Sequence, residues 1–153
     1  MTGNGGTDNP IVYVHAPFGG AHYRQSYELR ERVLRKPLGI PLRDEDTAGD
    51  AEEELFCALK GEHVIASLQL KPIDQTTMKL RQMAVEPEFQ KSGVGSTLVR
   101  FAEDWARASG ITQIVLHARA EVTRFYEALD YAVEGERFVS VGIPHVAMRK
   151  RIR

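Results

Sequence analysis

Apolar and polar positions change their period several times along the 153-residue chain, and each change marks an element. Residues 1–9, rich in Gly, Asn, Thr and Asp, read as a mobile leader. "IVYVHAP" then carries the β-branched and aromatic content of a first strand. In "AHYRQSYELRERVLRKPLG", Tyr23, Tyr27 and Leu34 fall near one helical face with Ser26, Leu29 and Val33 beside it, which predicts a helix stopped by Pro37 and Gly39. Its remaining side, with Arg24, Arg30, Arg32, Arg35 and Lys36, reads as a solvated basic surface, or as a face that favours an acidic acceptor. "IPLRDEDTAGDAEE" is a polar, turn-rich connection, long enough to be either disordered or a substrate loop. "ELFCALKGEHVIASLQLKP" reads as two strands, Glu54 to Leu59 and Val64 to Leu70, whose short turn at Gly61 predicts antiparallel pairing. "TTMKLRQMAV" sets Met78, Leu80 and Gln82 against Lys79, Arg81 and Met83, which predicts a strand from Met78 to Val85. Val94, Leu98, Phe101 and Trp105 then recur at helical spacing up to Gly110. A strand from Ile111 to Ala118, a short helix in "EVTRFYEALD" and two closing strands, "YAVEGERFVS" and "HVAMRKRI", complete the order.

Composition narrows the classes. The 42% apolar content suits one core, so residues 10–153 are expected to form a single domain. With 20 basic against 21 acidic residues the net charge is −1, and no overall field draws nucleic acid or an anionic membrane. An anionic ligand must therefore be bound locally. No apolar run approaches the roughly 18 residues of a membrane span and the start lacks a signal pattern, so a soluble, cytoplasmic protein is expected. Cys57 stands alone, which excludes an internal disulfide and reads as a small buried hydrophobe. The five histidines show no paired ligand spacing, and no metal is expected.

"QKSGVGST", Gln90 to Thr97, places two glycines just before the strongest helix. A P-loop would need Gly-Lys-Ser/Thr, but Gly95 is followed by Ser96; a dinucleotide fingerprint would need a third glycine where Leu98 stands. What remains is a polar turn opening a helix, whose unpaired first-turn amides, Ser92 to Ser96, face outward with the positive end of the helix dipole behind them. Such a turn can bind a polyphosphate, or can simply be a tight strand-to-helix connection.

The flanks carry a more specific pattern. "LRQMAVEPEFQKSGVGSTLVRFAEDWA" resembles, position for position, the signature segment of the GNAT superfamily of N-acetyltransferases: a strand ending in Val, a Pro shortly after, Gln/Arg-x-x-Gly-x-Gly and an amphipathic helix. "LHARAEVTRFYEALDYAVEGERF" is similar to that family's later block, with Asp130 where the pattern has glycine. "GIPHVAM" resembles the ElaA-like subgroup. The resemblance implies an α/β fold with a mixed, mostly antiparallel sheet of about seven strands flanked by about four helices, strands four and five splayed apart.

The resemblance also implies that acetyl-CoA is the co-substrate. Its pyrophosphate would lie on Gln90, Lys91, Ser92, Gly93, Val94, Gly95 and Ser96. Its pantetheine arm would lie along Met83, Ala84 and Val85, with a main-chain amide among them polarising the thioester carbonyl. Tyr126 takes the general-acid position. Arg119 stands where many relatives carry asparagine, and would meet a coenzyme phosphate, an acidic acceptor or solvent. His145 is the preferred general base, with Glu54 and the Asp44 to Asp46 stretch as water-mediated alternatives. The implied reaction is acetyl transfer to a primary amine of a small molecule or peptide by direct attack in a ternary complex. The alternative is an acyl-CoA binding or sensing module without turnover. The open sheet edge is where a homodimer would form.

Overall fold

The computed structural model describes residues 9–39 and 47–153; the expected leader up to residue 8 and the Asp44 to Asp46 stretch lie outside them. β1 (Ile11–Ala16) leads to α1 (Ala21–Arg30), and a wider π turn (Glu31–Arg35) and a 3₁₀ turn (Lys36–Leu38) carry that helix to Gly39, at φ 69°. A 3₁₀ turn (Asp50–Glu52) precedes β2 (Glu54–Lys60), β3 (His63–Pro72) and β4 (Thr77–Val85). α2 (Val94–Ala108), β5 (Gln113–Arg119), α3 (Thr123–Glu127), β6 (Ala132–Ser140) and β7 (Ile143–Arg151) follow.

The strands form a seven-stranded mixed sheet in the order β1-β2-β3-β4-β5-β7-β6. β1 runs antiparallel to β2, with Ile11 opposite Lys60 and Ala16 opposite Leu55. β4 and β5 are parallel, as strands joined by a crossover helix must be, and their register covers Thr77 to Leu80 against Gln113 to Leu116 and goes no further. β7 pairs antiparallel with β5 from Arg119–His145 to Gln113–Arg151 and with β6 on its other side. This is the GNAT fold expected from the sequence.

The chain divides into two compact units, one running to Gln69 and including Gln82–Phe101, the other made of Leu70–Arg81 and Ala102–Arg153. In the first, Leu55, Cys57 and Leu59 of β2 pack with Leu29, Val64 and Ala84, and Tyr23, Val33 and Leu34 close the cluster. Each such side chain taken fully out of water contributes roughly 1.5–3 kcal/mol. Cys57 is free and wholly buried, and burial pushes its thiol up to about 12. Phe101 packs its ring against Tyr13 and Phe56. In the second unit the buried residues include Met78 and Leu80 of β4, Ile114, Leu116 and Ala118 of β5, and Val146 and Met148 of β7. The strict alternation along β5 leaves His117 and Arg119 on the opposite face, which Arg149 of β7 shares as the partner of Val115.

One expectation fails outright. Arg30, assigned to the solvated side of the first helix, is wholly buried: its Nη1 donates to Asp50 Oδ2 at 2.8 Å. Tyr23 Oη and Gln69 Nε2 donate to the same carboxylate at 2.7 and 3.0 Å, and Gln69 Nε2 also reaches Glu53 Oε1. A buried guanidinium requires such a partner, and the partner comes from the connection before β2, 20 residues away. Helical spacing around Arg30 could not reveal it.

Candidate active site

The first unit holds the turn. The amphipathic stripe of Val94, Leu98 and Val99, all buried, makes α2 the helix the spacing predicts. Its first intrahelical bond runs from Thr97 N–H to Gly93 O at 3.0 Å, so the amides of Gly93, Val94, Gly95 and Ser96 stand ahead of the ladder. Gly93 sits at φ 90°, and a Cβ added there would meet nothing within 4 Å. The bare position therefore answers to the backbone conformation and leaves open space above it, not to crowding by the protein's own side chains. Lys91 is also left-handed, at φ 63°, a conformation its residue type does not announce. Gln90 Nε2 donates to Val85 O at 3.0 Å, and Ser92 Oγ donates to Phe89 O. Both side chains thus pin the turn to the segment before it. Ala84 is buried in the core cluster, while Met83 and Val85 are half-buried. They follow Gln82, whose φ of 55° breaks the regular run of β4 after its parallel register with β5 has ended.

The second unit holds the expected acid–base groups. Tyr126 lies on α3, 6% exposed, with its ring edge-on to Phe125 at 4.9 Å and to Tyr131 at 5.8 Å. Burial raises its phenol well above the ordinary range. The helix closes through two backbone bonds, Asp130 N–H to Glu127 O and Tyr131 N–H to Tyr126 O, both 3.0 Å. Asp130 takes φ 73°, the left-handed position in which the family pattern has glycine, so the departure keeps the geometry.

His145 stands directly across from Arg119 on one side and Phe138 on the other. Its Nδ1–H donates to Ile143 O at 2.8 Å, which places the lone pair of the neutral ring on Nε2. Its ring stacks on Phe138 at 5.8 Å, and Phe138 meets the edge of His117 at 5.0 Å. Lys79 Nζ donates to His117 Nδ1 at 3.3 Å. Burial first, then the charges of Lys79 and His145, hold the His117 imidazole below its usual pKa. Neither Phe138 nor His117 could be picked from the sequence, because their neighbours come from three strands. Glu54, the alternative base, makes a 2.7 Å contact with His15 Nε2 instead.

The model of the acetyltransferase (GNAT) family matches residues 21–131. The Bacillus subtilis (strain 168) uncharacterized N-acetyltransferase YitI is 30% identical over 135 residues, covering 84% of this chain and 91% of its own. Among solved structures, Escherichia coli ElaA superposes with a TM-score of 0.78 at 18% identity, covering 94% of this chain and 99% of its own. A GNAT family acetyltransferase from Elizabethkingia anophelis, solved with acetyl-CoA bound, superposes with a TM-score of 0.71 at 18% identity, covering 94% and 99%. The chain belongs to the GNAT acetyltransferase family, and its activity is acyl transfer. Among the described residues no helix is long and apolar enough to cross a membrane.

Proposed function

We propose that the protein is a single-domain N-acetyltransferase that moves the acetyl group of acetyl-CoA onto a primary amine of a small molecule or peptide within a ternary complex. The observation that carries this reading is the turn before α2: a left-handed Gly93 with open space above it and four amides ahead of the helical ladder. Those donors match a pyrophosphate in charge and direction. Lys91 adds positive charge at the same turn, and Ser96 a hydroxyl. The pantetheine arm runs along Met83, Ala84 and Val85, where β4 has left its register with β5, and one main-chain amide polarises the thioester carbonyl. Arg119 contacts a phosphate of the coenzyme or an acidic group of the acceptor.

His145 Nε2 removes a proton from the acceptor ammonium, and the freed amine attacks the carbonyl carbon. The resulting oxyanion collapses, the carbon–sulfur bond breaks, the Tyr126 hydroxyl passes its proton to the departing thiolate, and the attacking nitrogen gives its second proton to the tyrosinate so formed. The neutral phenol, the form in which a tyrosine stands at neutral pH, is the form this step requires. The test is release of free thiol from acetyl-CoA in the presence of a panel of amines: glycine ethyl ester, spermine, glucosamine and an alanine-initiated tripeptide. Tyr126→Phe and His145→Gln should each lower kcat by about 100-fold or more while retaining acetyl-CoA binding, the usual range for a lost acid or base. Full turnover in either variant removes that residue from the mechanism.

A further inference from the structure

α3 is five residues long, far below the roughly 12–15 at which a helix holds itself together in water. Something outside it must hold Tyr126. Two amides, from Leu129 and Tyr131, converge on the Tyr126 carbonyl at 2.9 and 3.0 Å, and the Tyr131 ring meets the Tyr126 ring at 5.8 Å and 73°. Tyr131 therefore touches Tyr126 at both its backbone and its ring. It is itself 2% exposed, and its hydroxyl donates to Glu103 Oε2 of α2 at 2.9 Å. The other oxygen of that carboxylate accepts from Lys150 Nζ of β7 at 2.9 Å, and the same ammonium lies over the Tyr131 ring at 5.7 Å.

Glu103 interrupts the buried stripe of α2 and is 2% exposed, where an apolar residue would fill the space without the cost of removing a charge from water. What the charged network supplies is direction. It fixes the hydroxyl, and hence the ring, of Tyr131 against elements that neither α3 nor β6 contains.

We infer that Tyr131, Glu103 and Lys150 are positioning residues for Tyr126, a brace that aims its phenol at the leaving thiolate. The inference rests on Tyr126 acting as the general acid. Its test is a cycle of four enzymes, the wild type, Tyr131→Phe, Tyr126→Phe and the double variant, assayed by thiol release from acetyl-CoA with the most active amine of the panel. Melting temperature is followed in each. Tyr131→Phe keeps the ring and loses the bond to Glu103. It should lower kcat by about tenfold with KM for acetyl-CoA unchanged, as misplacement of a reacting group does. In the Tyr126→Phe background the same change should cost nothing further in kcat, because the group it positions is gone. An unchanged kcat in Tyr131→Phe, or an equal loss in both backgrounds, overturns the inference and leaves the general acid standing. Full kcat in Tyr126→Phe overturns the general-acid reading and this inference with it. If Tyr131→Phe does not fold, Glu103→Gln, which keeps an acceptor for the Tyr131 hydroxyl but loses the charge facing Lys150, is run through the same cycle with the same criteria.

Discussion

Gly93 and Gly110 stand at opposite ends of α2, both at φ 90° and both with nothing within 4 Å of an added Cβ. Gly110 closes the helix: its N–H reaches Arg107 O and that of Ile111 reaches Ala106 O. Replacing either glycine by alanine imposes the same penalty, a left-handed backbone carrying a Cβ, about 1–2 kcal/mol. For a chain of this length that corresponds to a loss of about 2–8 °C in Tm. The two variants should differ in ligand binding alone. At Gly93 the turn relieves its strain by rotating, and rotation redirects the amides ahead of the ladder. Each amide–phosphate bond lost is about 1.5–3 kcal/mol, or roughly 10- to 100-fold in Kd. Isothermal titration with coenzyme A on Gly93→Ala and Gly110→Ala, beside differential scanning calorimetry of both, separates the two effects. Gly93→Ala should bind at least about tenfold more weakly, and Gly110→Ala should bind like the wild type. Equal affinity in all three proteins would refute the claim that the turn grips a diphosphate. An equal loss in both variants would show that general destabilisation, not the turn, weakens binding.

Two further outcomes follow from the buried network of the first unit. Asp50→Ala strands the Arg30 guanidinium without its partner and should cost about 3–5 kcal/mol in urea unfolding, whereas Arg30→Met combined with Asp50→Leu should cost less than the single change; a loss under about 1 kcal/mol in Asp50→Ala would show that the pair is not desolvated in solution. Tyr23 is raised to about 12 by burial, then by its bond to Asp50 and that carboxylate's charge. Because the folded value lies above the unfolded one, the contribution of Tyr23 is fully present below about pH 10 and is lost as pH rises toward about 12. Unfolding measured across that window should show a shallower decline in Tyr23→Phe than in the wild type, and parallel curves would deny the coupling.

Some of this was written in local spacing. The stripe of α2 was legible because residues three and four apart on a helix share a face wherever the helix lies. The strands of the meander were legible for the same reason with a period of two. The turn before α2 could be read as a donor site from its two glycines and the two family blocks around it. Asp130 could be accepted at a glycine position because an aspartate tolerates left-handed backbone.

Other features needed the assembled chain. Arg30 looks like any other cation on a basic helix until Asp50, Tyr23 and Gln69 gather around it, and no periodicity encodes a partner 20 residues away. The left-handed kinks at Gln82 and Lys91 occur at residue types that give no hint of them. The brace behind Tyr126 joins Glu103 of a helix, Tyr131 before β6 and Lys150 of the last strand, and the His145–Phe138–His117 row crosses three strands. In this protein the order along the chain determined the elements and the glycine turn, since backbone preference and side-chain period act over a few residues. Tertiary structure alone decided which charges are buried together and which rings meet, because those contacts arise only when segments distant along the chain are brought side by side.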